Sequence, residues 1–117
     1  MKIDDKIKSI LNLSTDASDI VYSKRRLMKH IVKRNHEDII KYFDEIENII
    51  ETPDYVGVNP NEEGISLEYV KVFDDNVLVA LKLHKSKNHF YIPTMYSIND
   101  YKLKRRILSG RMKRIDK

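Results

Sequence analysis

Ile49-Ile50-Glu51-Thr52-Pro53-Asp54-Tyr55-Val56-Gly57-Val58 is the stretch on which the fold turns. Upstream of Pro53, Ile39, Phe43, Ile46 and Ile50 recur every three or four residues, with Ile40 and Ile49 widening the stripe. That spacing predicts an amphipathic helix from His36 to about Glu51. Pro53 ends it, because proline lacks the N–H a helix needs and disfavours helical geometry at Thr52. Downstream the period falls to two. Asp54 to Val58 reads as a strand and Asn59 to Gly64 as its turn. Ile65, Leu67, Tyr69, Lys71 and Phe73 then alternate with Ser66, Glu68, Val70 and Val72, which makes a second strand with one mainly apolar face. Asp74 to Asn76 makes a hairpin into a third strand, where Val77, Val79, Leu81 and Leu83 alternate with Leu78, Ala80, Lys82 and His84. After a turn at Lys85 to Asn88, residues His89 to Ser97 give the fourth strand, with Phe90, Ile92, Thr94 and Tyr96 expected on one side. Pro93 inside that run favours an edge position or a bulge.

Toward the N-terminus, Ile3, Ile7, Ile10 and Leu11 suit a first short helix, and Asp19 to Tyr22 a small strand. Ser23 is placed to cap a helix from Lys24 to about Arg34, with Leu27, Met28, Ile31 and Val32 on its apolar side. Asn35 followed by Asp38 resembles a capping box for the helix after it. Toward the C-terminus, Asp100 is expected to cap a basic helix with Tyr101, Leu103, Ile107 and Leu108 as its apolar positions. Gly110 ends it, leaving Arg111 to Lys117 as a frayed tail. Helices first and consecutive strands afterwards predict an α+β domain: N-terminal helices packed on a four-stranded antiparallel meander, followed by a basic C-terminal helix. A chain of 117 residues with no internal repeat or linker reads as a single domain.

Composition narrows the class further. With 41% hydrophobic and 34% charged residues, three Gly and three Pro, the chain is neither collagenous nor low-complexity nor strongly disordered. No apolar run approaches the roughly 20 residues of a membrane span, and Met1 to Asp5 lacks the layout of a signal peptide. The absence of Cys excludes disulfides and fits a reducing compartment, so the expected location is the cytoplasm. The net charge of +4 hides an uneven distribution. Lys102 to Lys117 carries eight basic residues against Asp116 alone, and Lys24 to Asn35 carries six with no acidic one. Two basic stretches in an acidic body point to a polyanion-binding surface, the plainer alternative being two solvated helix faces.

The residues present exclude several chemistries. Three scattered glycines cannot build a phosphate-binding loop, a dinucleotide turn or a nucleophile elbow, and the four histidines lack metal-ligand spacing. No cofactor or metal is expected. What survives is cleavage of RNA by attack of a ribose 2′-hydroxyl on the adjacent phosphate, which needs a proton acceptor, a proton donor and cations or hydroxyls around the phosphoryl oxygens. His30 is the first candidate because it lies in the basic helix beside Lys29 and Lys33, cations that attract phosphate; the plainer alternative is a half-buried helix residue three after Leu27. His36 at a helix start suits anion binding or an ordinary polar position. Thr94 and Tyr96 put two hydroxyls close together, and Lys82 breaks the apolar pattern of its strand, as a phosphate clamp or as the exposed face. His84 and His89 read more simply as parts of a solvated hairpin, and Asp54 as a strand-entry residue.

His30-Ile31-Val32-Lys33-Arg34-Asn35-His36, then Ile49 to Val56, then Tyr91-Ile92-Pro93-Thr94-Met95-Tyr96, follow in an order that resembles the phage-associated barnase, EndoU, colicin and RelE-like (BECR) nucleases. The likeness runs from about Asp19 to Arg106, so it implies a nuclease core over residues 19–106, an N-terminal helix extension over 1–18 and a basic tail over 107–117. Pro93 directly before Thr94 departs from the family's pattern. The resemblance implies a metal-independent endoribonuclease of a phage, mobile element or toxin system, with His30 as acid or base and Thr94 and Tyr96 as phosphate-side or proton-transfer partners. His36 matches the second motif histidine. Lys82 is added from the strand pattern, and Lys29, Lys33, Arg34, Arg105 and Arg106 as phosphate-backbone contacts. The expected partners are RNA, transfer RNA included, and an immunity or antitoxin protein, with no membrane. The alternative is a non-catalytic nucleic-acid-binding or protein-interaction module of a mobile element.

Overall fold

The computed structural model describes residues 1–34 and 37–116, and it is an α+β fold. Its centre is an antiparallel sheet of β1 (Tyr55–Val58), β2 (Ser66–Val72), β3 (Asn76–Leu83), β4 (Phe90–Tyr91), β5 (Met95–Ile98) and β6 (Met112–Arg114). β3, β2, β1 and β6 lie side by side, while β4 and β5 share the outer edge of β3. Four strands were expected and six form, for two physical reasons.

The first is a break in the edge strand. β4 pairs Tyr91 with Lys82, and β5 pairs Met95 with Val79, so Ile92, Pro93 and Thr94 face only Ala80 and Leu81. One extra residue is accommodated, a β-bulge at the proline that cannot donate to the ladder. The bulge reverses the side-chain alternation. Phe90 and Ile92 stay in the core under the helices, whereas Tyr96 turns to the opposite face with Ala80 and Leu78. The expectation that Phe90, Ile92, Thr94 and Tyr96 share one side is therefore corrected by a single inserted residue.

The second is the C-terminal segment. Instead of fraying after Gly110, which turns at φ 83°, the chain comes back as β6 and pairs with β1, Met112 opposite Gly57. A Cβ on Gly57 would sit 2.0 Å from the Arg111 carbonyl oxygen, so only glycine lets the returning strand approach.

The helices are α1 (Asp5–Ile10), α2 (Lys24–Lys33), a 3₁₀ helix over Glu37–Glu45, α3 (Ile46–Glu51) and α4 (Asp100–Leu108). Ser23 caps α2 by accepting from the Arg26 N–H, as expected. Asn99 rather than Asp100 caps α4, accepting from the Lys102 N–H, while the Asp100 carboxylate accepts from Asn76. The helix expected over 36–51 is wound more tightly in its first half, where Tyr42 donates to Asp75 at 2.8 Å and Asp38 accepts from Ser97 at 3.0 Å. Three residues per turn stack Tyr42 above Ile39, which buries both against the sheet. The capping pair expected from Asn35 falls on a residue outside those described. Asp19–Tyr22 forms not a full strand but two isolated bridges, Asp19 antiparallel to Lys2 and Ile20 parallel to Phe90 alongside the outer edge of β4.

The two faces of the sheet differ. Leu67, Tyr69, Val77, Val79 and Leu81 point into the main core, which Ile7, Leu27, Ile31, Ile39, Ile46 and Ile49 close from the helices. On the other face a small cluster of Val70, Leu78, Ile98, Leu103 and Met112 lies under α4. α4 covers only that half. Beyond it, Ser66, Glu68, Ala80 and Lys82 form the floor of an open cleft.

Candidate functional site

The cleft has a volume of about 400 Å³. Its floor comes from β2 and β3, one wall from Tyr91, Pro93, Thr94 and Tyr96 on the bulged edge, another from His30 and Arg34 of α2, and its rim from Asn59 and Glu62. The local causes are those above. α2 buries Leu27 and Ile31 in the main core, so the residue before Ile31, His30, looks across the sheet edge toward the cleft. The bulge brings Thr94 and Tyr96 to that same place.

Of the residues expected from the sequence, His30, Thr94, Tyr96, Lys82 and Arg34 line this one cleft. The Lys82 ammonium lies 3.4 Å from the Glu62 carboxylate. Lys29 and Lys33 are exposed on α2 outside the lining. Arg105 lies on the outer side of α4, donating to the Tyr101 hydroxyl at 3.2 Å. Arg106 is drawn toward the cleft floor instead. His36 lies outside the described residues.

Sequence reasoning missed the charged group beneath the cleft. Glu68, 1% exposed, accepts from Arg111 through both oxygens, at 2.7 Å from Nε and 2.9 Å from a terminal nitrogen, and from Arg106 at 3.1 Å. These bonds hold the Arg111 guanidinium even more firmly protonated than usual, with Tyr96 a lesser contributor. A carboxylate so buried requires paired cations, and the planar two-pronged arginine contact supplies them. In a strand, Glu68 reads as one more polar residue on a solvent side; the signal that could have flagged it is Gly57 facing it across β1, since that glycine admits the backbone of Arg111. Among the described residues, no group of three or more His, Asp and Glu side chains is arranged to hold a metal ion.

An open cleft carrying an imidazole, the hydroxyls of Thr94 and Tyr96 and the cations Arg34 and Lys82, on the half of a sheet left bare by α4, suits a phosphodiester. Comparison with known families agrees with that chemistry: residues 1–105 match the phage-Barnase-EndoU-ColicinE5/D-RelE like nuclease3 family. The chain belongs to this family. The match takes in the first eighteen residues, and in the structure Ile3, Ile7 and Ala17 are part of the main core. No curated protein and no solved structure matches the chain significantly. As a member of a nuclease family it acts on nucleic acid, and no described helix is long and apolar enough to cross a membrane.

Proposed function

We propose that this nuclease is a metal-independent endoribonuclease that cuts RNA by 2′-hydroxyl attack. The observation that carries the reading is the meeting of His30, Thr94, Tyr96 and Lys82 around one cleft. In this scheme the 2′-oxygen bonds to phosphorus as the bond from phosphorus to the 5′-oxygen breaks, leaving a 2′,3′-cyclic phosphate and a free 5′-hydroxyl. His30 moves one proton, taking it from the 2′-hydroxyl or giving one to the leaving 5′-oxygen, and water makes the opposite transfer. The Thr94 and Tyr96 hydroxyls donate to the non-bridging oxygens, and Lys82 and Arg34 stabilise the charge that develops there. Arg106 and Arg111 keep Glu68 neutralised, so that the floor does not repel a phosphate. Lys29, Lys33 and Arg105 hold the phosphate backbone further out, so affinity falls steeply with salt. The setting that suits such an activity is the cytoplasm of a phage-infected or toxin-bearing cell, with an immunity or antitoxin protein as partner.

The test is incubation with total RNA, and separately with DNA, in EDTA beside a His30→Ala variant. RNA fragments ending in 2′,3′-cyclic phosphate, uncut DNA and a loss of about 10²–10⁴-fold in rate on His30→Ala are expected. RNA left intact by the wild type across several RNA classes, or cut only when a divalent cation is added, overturns the mechanism. Retention of RNA without cleavage points instead to a nucleic-acid-binding module.

A further inference from the structure

A second cavity, of about 620 Å³, adjoins the cleft on the far side of Tyr91 and Pro93, which line both. Its other side is an aromatic group the proposed chemistry does not use. The His84 and His89 rings are 5.6 Å apart between centroids, and His84 meets Tyr91 edge-on at 6.1 Å. The group is held in place rather than loosely solvated. The hairpin closes through the His84 N–H and the His89 carbonyl at 3.0 Å, and His84 Nδ1 accepts from the Ser86 N–H at 3.2 Å. Arg26 from α2 and Lys87 from the hairpin lie at its edges, and among the described residues neither has a carboxylate partner.

Planar rings beside unpaired cations suit one ligand chemistry well. A nucleobase stacks on the rings whatever its identity, and the phosphate attached to its sugar meets the cations. A base still stacked in a duplex cannot enter. We infer that this cavity is a subsite for the unpaired base of the nucleotide next to the scissile phosphate, with His84, His89 and Tyr91 stacking and Arg26 and Lys87 taking the adjoining phosphate. The inference rests on the reading of the cleft as an RNA-cleaving site. It assigns the protein a substrate class, single-stranded or looped RNA, and makes Pro93 and Tyr91 the partition between neighbouring nucleotides.

The test uses RNA oligonucleotides made uncleavable by 2′-deoxy substitution, each with one position in turn abasic, titrated against wild type and a His84→Ala/His89→Ala variant whose fold is checked by thermal unfolding. One position should stand out, where loss of the base weakens wild-type binding by about 5- to 150-fold. The variant should bind the intact oligonucleotide correspondingly worse and be indifferent to that abasic position. Arg26→Ala should weaken binding without removing the preference for a base there. Equal affinity for all abasic oligonucleotides overturns the subsite while leaving the cleavage reading standing. A base-dependent affinity without cleavage of ordinary RNA keeps the subsite and overturns the chemistry assigned to His30. A wild type that binds none of the oligonucleotides overturns both.

Discussion

The two faces of one sheet follow different rules. Toward the helices, Leu67, Tyr69, Val79 and Leu81 are sealed in an apolar core, and Val56, Val77 and Met95 join them from the same face. On the other face α4 covers Val70 and Leu78, but past it the same strands present Glu68, Ala80, Lys82 and Ser66 to the cleft. Removal of apolar surface from water holds the first face together. The second is held in part by charges that have to be matched one by one. The proposed chemistry therefore sits on the half of the sheet that the helical core leaves open.

That contrast can be broken from either side. Arg111→Ala strips the buried Glu68 of its two-pronged partner and leaves Arg106 alone to neutralise it; a loss of about 3–5 kcal/mol is expected by chemical denaturation. A loss below about 1 kcal/mol would mean that the charged floor is incidental to stability. A pair of neighbours on α2 sharpens the same point. Ile31→Ala, in the core, should cost about 2–5 kcal/mol. His30→Ala, one residue earlier and facing the cleft, should change stability by no more than about 0.5 kcal/mol while removing cleavage. If both variants lose stability equally, α2 does not divide its side chains between core and cleft as described.

An effect smaller than the Arg111 and Ile31 losses is expected at Tyr69, whose buried hydroxyl has no hydrogen-bond partner among the described residues. Tyr69→Phe should leave stability unchanged at neutral pH or raise it by about 1 kcal/mol, since it removes an unsatisfied polar group. Burial, with a lesser contribution from Asp4, pushes this hydroxyl's pKa above its ordinary value. Below about pH 10 the residue is protonated in both folded and unfolded chains; above it the unfolded chain releases the proton first, so stability should fall as pH rises. Denaturation on either side of about pH 10 should show that fall in the wild type and a smaller one in Tyr69→Phe.

How much of this was legible in the sequence divides along the same line. The end of the helix at Pro53, the alternation in β2 and β3 and the Ser23 cap all depend on near neighbours in the chain, and all appear in the structure. What escaped depends on partners distant in sequence. β6 holds one apolar residue in three and exists because β1 offers an open edge and Gly57 a place for the Arg111 backbone. The tight winding of Glu37–Glu45 answers to Asp75 and Ser97, far downstream. Pro93 announced an edge or a bulge and both are present, but not that the inserted residue would turn Tyr96 away from Phe90. His30, Thr94, Tyr96 and Lys82 were each nameable beforehand; Glu68 with its two arginines was not, because strand alternation gives a buried salt bridge and a wet surface the same pattern.

The origin of those two arginines also orders events during synthesis. Glu68 emerges from the ribosome well before Arg106 and Arg111, so a nascent chain can pair β1, β2 and β3 while the acid beneath the cleft still lacks its counter-charges. Until Arg106 and Arg111 have left the ribosome, Glu68 stands without its counter-charges, so the open half of the sheet is completed later than the scaffold that carries it.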